Sequence, residues 1–230
     1  MITSGLFKPL KFLLVCNFLL ACASTADEKN PGPCPPCPEC PSPPPLPVCE
    51  IIDSKLSFDV AIAGIELPDH VKEQLTLLEV AHIGYDGKKH RGQLVCHRKV
   101  AGDLAIVFNR LLRDSFPIEK VIPVSQYGWD DEKSMSDNNT SCFNYRRIPT
   151  TGYVSQHAFG YAVDINPRFN PQFIERDTVP HPANGIYDTL QPGTIKPHSS
   201  IIEYFREIGW KWGGNWPSMK DYQHFSRHGY

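Results

Sequence analysis

The sequence predicts an α+β domain over residues 51–230, an antiparallel sheet with flanking helices. Three observations lead there. Two β-leaning runs, 75–85 and 93–98, flank Asp86-Gly87, a hairpin-turn pair. In VAGDLAIVFNRLLRD, Val100, Leu104, Val107, Phe108, Leu111 and Leu112 recur at helical spacing, which predicts an amphipathic helix. Strands and helices are mixed without a βαβ rhythm, so helices pack beside an antiparallel sheet rather than crossing over a parallel one.

Along the chain, residues 1–22 come first, with Lys8 and Lys11 ahead of the apolar run FLLVCNFLLA. That run is too short for a permanent membrane span and fits the core of an export signal. Two processing patterns fit its end. Leu19-Leu20-Ala21-Cys22 resembles a bacterial lipobox, which leaves Cys22 lipidated and the protein anchored to a membrane. Ala21-Cys22-Ala23 also fits a small-x-small cleavage site, which releases a secreted product. Either pattern takes the mature protein out of the cytoplasm, to the periplasm or cell envelope when anchored.

Residues 23–50 form a linker. Ten of the 22 prolines lie between Pro31 and Pro47, in NPGPCPPCPECPSPPPLPVC. Proline fixes φ and lacks an amide donor, so this stretch reads as an extended spacer. Cys34, Cys37, Cys40 and Cys49 suit disulfides outside the cytoplasm, within or between chains, or a zinc knuckle. Cys96 and Cys142 are the cysteines of the domain itself, and a disulfide between them is an open expectation.

Past the hairpin and the long helix, residues 118–124 read as a short strand closed off by the polar stretch GWDDEKSMSDNNTS. Another strand is expected over 161–165. After a Pro- and Asn-rich connection, Ser200 with Glu203 makes a capping-box signature for IIEYFREIG, which Gly209 stops. Trp210, Trp212 and Trp216 read as core or as a stacking face. The formal net charge of −2 leaves no basic excess for nucleic-acid binding. Oligomeric state is not legible.

The chemistry concentrates in SQHAFGYAVD, residues 155–164. His157 and Asp164 are both good zinc ligands, and catalytic zinc sites typically take three protein ligands plus water. WKWGGNWPSMKDYQHFS supplies a third, His224, with Asp221 three positions before it. A carboxylate so placed can reach the attacking water without occupying a coordination position, as a general base must. Gly160 and Ala162 let backbone pack closely behind such a site.

Ser155-x-His157-x-x-Gly160-x-Ala162-x-Asp164 followed by Asp221-x-x-His224 resembles the D-alanyl-D-alanine carboxypeptidase family (peptidase family M15). Within it the L-alanyl-D-glutamate endopeptidase branch is most similar, also through SMSDNNTSCFNYRRI and Asp164-Ile165-Asn166-Pro167. The resemblance implies a single zinc peptidase domain of the hedgehog/D,D-peptidase type. It implies Zn²⁺ on His157, Asp164 and His224, Asp221 as general base, and Arg146 steadying the oxyanion. Alignment from Phe143 selects Arg146 over Arg147. Ser155 is a candidate for substrate binding and equally for a turn. Two positions depart from the family: Ser226 stands where it usually has Glu, and Tyr145 where it often has Cys.

The implied activity is hydrolysis of peptidoglycan stem peptides by metal-activated water, at L-Ala–D-Glu or at the terminal D-Ala–D-Ala bond. The competing expectation is a zinc-containing module that binds cell-wall peptides without cutting them. Such a binder has no need of the base at Asp221.

Overall fold

A computed structural model of the chain describes residues 50–148, 152–174 and 179–228. The export segment and the linker, with Cys22, Cys34, Cys37, Cys40 and Cys49, lie outside the described residues.

Strand β1 (Ile51–Ile52) is followed by two short helices, α1 (Phe58–Ala61) and α2 (Asp69–Lys72). Strands β2 (Leu75–Ile83) and β3 (Lys89–His97) then form the expected hairpin, in register from Leu75↔His97 to Ile83↔Lys89. Its turn works because Gly87 accepts a φ of +74° and the Asp86 side chain accepts from the Lys88 N–H at 3.0 Å. The second strand begins at Lys89, several residues earlier than the sequence suggests. The reason is cross-strand pairing of polar residues such as His82 with His90, which carry no β-propensity signal.

Helix α3 (Ala101–Arg113) is the amphipathic helix. Leu104, Val107, Phe108 and Leu111 turn inward onto β2 and join one core with Val80, Leu94, Ile118, Val163, Ile165, Phe205 and Phe225. The expected strand over 118–124 shrinks to β4 (Lys120–Val121). A 3₁₀ turn, Val124–Tyr127, follows. The polar stretch after it contains α4 (Asp131–Ser136), capped by the Asp130 side chain, which accepts from Lys133 N. Local capping, rather than an apolar stripe, makes this helix.

The remaining strands are short: β5 (Asn139–Thr140), β6 (Ala162–Asp164), β7 (Gln172–Phe173) and β8 (Pro180–His181). After α5 (Ser200–Glu207) come β9 (Lys211–Trp212), β10 (Lys220–Asp221) and β11 (His224–Ser226). The single antiparallel sheet of the sequence reading is therefore corrected. Among the described residues there are four small sheets, and β1–β3 and β4–β5 pair in parallel. Helix α5 starts one residue earlier than the capping-box pattern implies. Ser199 is its N-cap without a side-chain cap bond, and Glu203 accepts from Arg206 Nε at 2.8 Å instead of reaching back. Trp210 and Trp212 are core, whereas Trp216 is partly exposed. Cys96 and Cys142 are free, buried thiols, not a disulfide.

A polar knot fastens the start of the domain. Asp53 accepts from His82 Nε2 at 2.8 Å, from His90 Nδ1 at 2.7 Å and from Val121 N–H at 3.0 Å. Burial works against the Asp53 charge, yet the hydrogen bonds from His82 and His90 hold its pKa below the usual carboxylate value. Burial also opposes the charge on His90, but Asp53 on one ring nitrogen and Asp86 on the other raise its pKa.

Candidate metal centre and catalytic cleft

His157 sits in a 3₁₀ turn, Gln156–Phe159, whose ends are both fixed by local chemistry. Ser155 is the N-cap, its hydroxyl oxygen accepting from His157 N–H at 3.2 Å. Gly160 closes the turn at φ +69°, and a Cβ there would lie 2.5 Å from His97 N. The glycine is thus required twice, for the left-handed conformation and for the close backbone approach. Ser155 is buried and lines the cleft while serving as a turn residue.

Asp164 and His224 face each other directly across β6 and β11. Alternation along a strand sends their neighbours, Val163 and Phe225, to the opposite face, where both are fully buried in the core. The register that seats these apolar residues therefore also turns the carboxylate and the imidazole into the cleft.

Three side chains converge. His157 Nε2 lies 3.1 Å from His224 Nδ1 and 3.3 Å from Asp164 Oδ2, and His224 Nδ1 lies 3.1 Å from Asp164 Oδ1. The opposite ring nitrogen of His157, Nδ1, is 2.6 Å from the Cys142 carbonyl oxygen. A carbonyl only accepts, so Nδ1 carries the hydrogen and Nε2 presents its lone pair to the cluster. Zinc–nitrogen distances of about 2.0–2.1 Å in a tetrahedron give ligand–ligand edges of roughly 3.3 Å. The observed spacings match those edges, so the residues present fit a zinc ion.

Electrostatics point the same way. Burial disfavours the Asp164 charge, but the adjacent His157 and His224 hold its pKa far below the usual range. Burial also works against charge on His157, and Asp164 overrides it, raising the pKa. A buried carboxylate pulling on two imidazoles is what a dication would relieve.

The Asp53–His82–His90 knot also gathers three possible ligands. Its contacts of 2.7 and 2.8 Å are hydrogen-bond lengths, shorter than zinc edges, and Val121 N–H already occupies the carboxylate. It is a hydrogen-bonded clasp.

Asp221 lines the same cleft, of about 390 Å³, as the three converging residues. It lies opposite Gln172 across β10 and β7, and Gln172 Nε2 donates to its Oδ2 at 2.9 Å. Its other oxygen, Oδ1, is buried without a hydrogen-bond partner. Burial pushes the Asp221 pKa up to about 6, the nearby Asp164 charge adding to this and the histidines opposing it.

Arg146 also lines the cleft, its Nη2 donating to Asp131 at 2.7 Å. Arg147 is exposed and its Nη1 donates to Gly152 O at 2.9 Å. Sequence reasoning missed Asp131, Gln172 and His181, all on the cleft wall, where Trp216, one of the tryptophans read as core or as a stacking face, also lies. Asp131 was hidden in a polar stretch, and Gln172 and His181 reach the cleft only through pairings β10–β7 and β7–β8. Their single detectable signal was the prolonged polar run around Asp131. Ile148, Ile174, Trp216 and Met219 supply an apolar lining.

Residues 149–227 match the family model described as D-alanyl-D-alanine carboxypeptidase. The match takes in His157, Asp164, Asp221 and His224 and stops short of Arg146. It makes this part of the chain similar to that peptidase family. Comparison with curated proteins and with solved structures returned no match.

Proposed function

We propose that the domain is a zinc-dependent peptidase that hydrolyses peptidoglycan stem peptides. The observation that carries this reading is Asp221: a buried carboxylate with one oxygen fixed by Gln172 and the other unpartnered, in one cleft with two imidazoles and a carboxylate at zinc spacings. The similarity over 149–227 supports the peptidase class and the substrate class.

His157, Asp164 and His224 would hold the ion. When bound, zinc supplies Lewis acidity toward a peptide carbonyl and lowers the pKa of water toward about 7. Asp221 Oδ1 is the acceptor for the proton released as water attacks. Once protonated, Asp221 becomes a donor to the departing amine. Gln172 keeps the carboxylate from rotating during that exchange. Arg146 donates to the carbonyl oxygen as negative charge grows there, a contribution of about 3–4 kcal/mol in comparable sites. The apolar side chains lining the cleft exclude water around these groups.

The cut bond is L-Ala–D-Glu, which the longer motif resemblance favours, or the terminal D-Ala–D-Ala, which the matched family's description names. An export signal with Cys22 at its end supports a lipid-anchored enzyme of the cell envelope, with membrane contact through that anchor.

The test is digestion of muropeptides by the zinc-loaded mature protein, with products read by mass spectrometry. Loss of alanine alone identifies a carboxypeptidase, and release of a peptide beginning with D-Glu identifies an endopeptidase. Failure to cut any muropeptide refutes the enzyme. The alternative, a zinc-containing binding module, is distinguished by Asp221→Ala: the enzyme loses turnover while keeping metal and ligand, and a binder is unchanged.

A further inference from the structure

We infer that Asp131 is a positioning residue that aims Arg146 at the reacting carbonyl, an inference that rests on the peptidase reading above. Both oxygens of its carboxylate are engaged. Oδ2 accepts from Arg146 Nη2 at 2.7 Å, and Oδ1 accepts from Asn144 Nδ2 at 2.9 Å. Asn144 is buried, and its backbone N–H donates to the His157 carbonyl at 3.1 Å. One carboxylate thus ties the guanidinium to the backbone segment that carries a proposed zinc ligand. The position of the guanidinium relative to His157 is set through this short hydrogen-bonded chain, not through the flexible arginine side chain alone.

Two further facts separate a positioning role from a stabilising one. The Asp131 and Arg146 side chains retain 27 % and 30 % of their exposure, and an ion pair that open contributes little to folding. Arg146 Nε is nevertheless buried without an acceptor. A guanidinium that lines the cleft, partly exposed and held through Nη2, is presented to an oxygen that arrives with the substrate. Arginine has many rotamers, and fixing one before substrate binds removes that entropy cost from the reaction. Asp131 does this from the first residue of α4, and the next residue, Glu132, accepts from Ala183 N–H at 3.0 Å.

Asp131→Asn is the discriminating variant. Its amide oxygen can still accept from Asn144, while its NH₂ faces Arg146 donor to donor. Turnover of a muropeptide is measured for the wild type, Asp131→Asn, Arg146→Ala and the double variant, alongside zinc content. The expected result is a ~10- to 100-fold fall in kcat for Asp131→Asn, with KM and zinc content near wild type. In the Arg146→Ala background the same change has no further effect, because the residue it aims is gone. An equal fold-loss in both backgrounds, or no loss in either, overturns the assignment. If the wild type cuts nothing, the peptidase reading fails separately. The assignment is then judged by ¹⁵N relaxation at Arg146 Nε, ordered in the wild type and mobile in Asp131→Asn, with equal order in both overturning it.

Discussion

Gly160→Ala isolates how strongly the His157 turn depends on one missing methyl group. The added Cβ would stand 2.5 Å from His97 N, 2.9 Å from the Cys96 carbonyl carbon and 3.0 Å from Cys96 Cα, all backbone atoms of β3. None of these can swing aside as a side chain would. The residue must also hold φ at +69°, which costs a non-glycine residue about 1–2 kcal/mol. Overpacking against an immovable strand adds about 1–3 kcal/mol. The sum, roughly 2–5 kcal/mol, corresponds to a melting point lower by about 5–15 °C in a domain of this size. Relief can come only by moving the turn away from β3, which displaces His157 from the cluster, so zinc affinity should fall by about 10–100-fold. Gly87→Ala is the control: its φ is +74°, but nothing lies within 4 Å of its Cβ position. It should lose only the conformational part, about 1–2 kcal/mol, with zinc affinity unchanged. Differential scanning calorimetry and competitive zinc titration measure both quantities. Equal destabilisation of the two variants would show that contact with β3 is irrelevant and that the packing argument is wrong.

Asp53→Ala leaves His82 Nε2, His90 Nδ1 and Val121 N–H without their acceptor, and should cost about 3–5 kcal/mol by denaturant unfolding. The wild-type advantage over that variant should peak between about pH 4 and 6.5. The depressed Asp53 pKa contributes above the unfolded carboxylate value and is lost on acidification; the raised His90 pKa contributes below the unfolded imidazole value and is lost as pH rises. Activity should fall on the acid side as Asp221 protonates. Burial sets its pKa at about 6 before metal binds, and a nearby dication can only lower it, so the acid limb of kcat/KM should lie at or below that value. Gln172→Leu, which deletes the donor to Oδ2, should move that limb upward. A chelator should abolish activity and lower the melting point, by an amount that grows with the zinc concentration removed. Arg147→Ala should keep full turnover, since its guanidinium serves Gly152 O.

The sequence carried more of the site than of the scaffold. Two imidazoles and two carboxylates have distinctive chemistry and fixed spacings, and the structure brings all four to one cleft. The long hairpin and α3 were equally readable, because a turn pair and a 3.6-residue apolar period are local signals. The two-residue strands were not: β7 and β10 are strands only because Gln172 and Asp221 pair across forty-nine positions of chain. Helix α4 escaped notice for the opposite reason, being held by Asp130 capping without an apolar face. The wall residues Asp131 and Gln172 act through hydrogen bonds to other polar side chains, and no periodicity announces such partners. The four-sheet arrangement follows from many short non-local pairings and could not be read from alternation alone.

The parallel pairing of β1 with β3 bears on how the domain meets mechanical load. Tension arriving through the chain ahead of Glu50 would first be opposed by Ile51 and Ile52 sliding along β3, by the Glu50 bonds to Lys89 and Arg91, and by the Asp53 clasp just behind them. Strands side by side in the direction of pull resist in shear, all bonds strained together rather than one after another. A tug from that end is thus absorbed at β3, the strand whose backbone at Cys96 and His97 also backs the Gly160 end of the His157 turn.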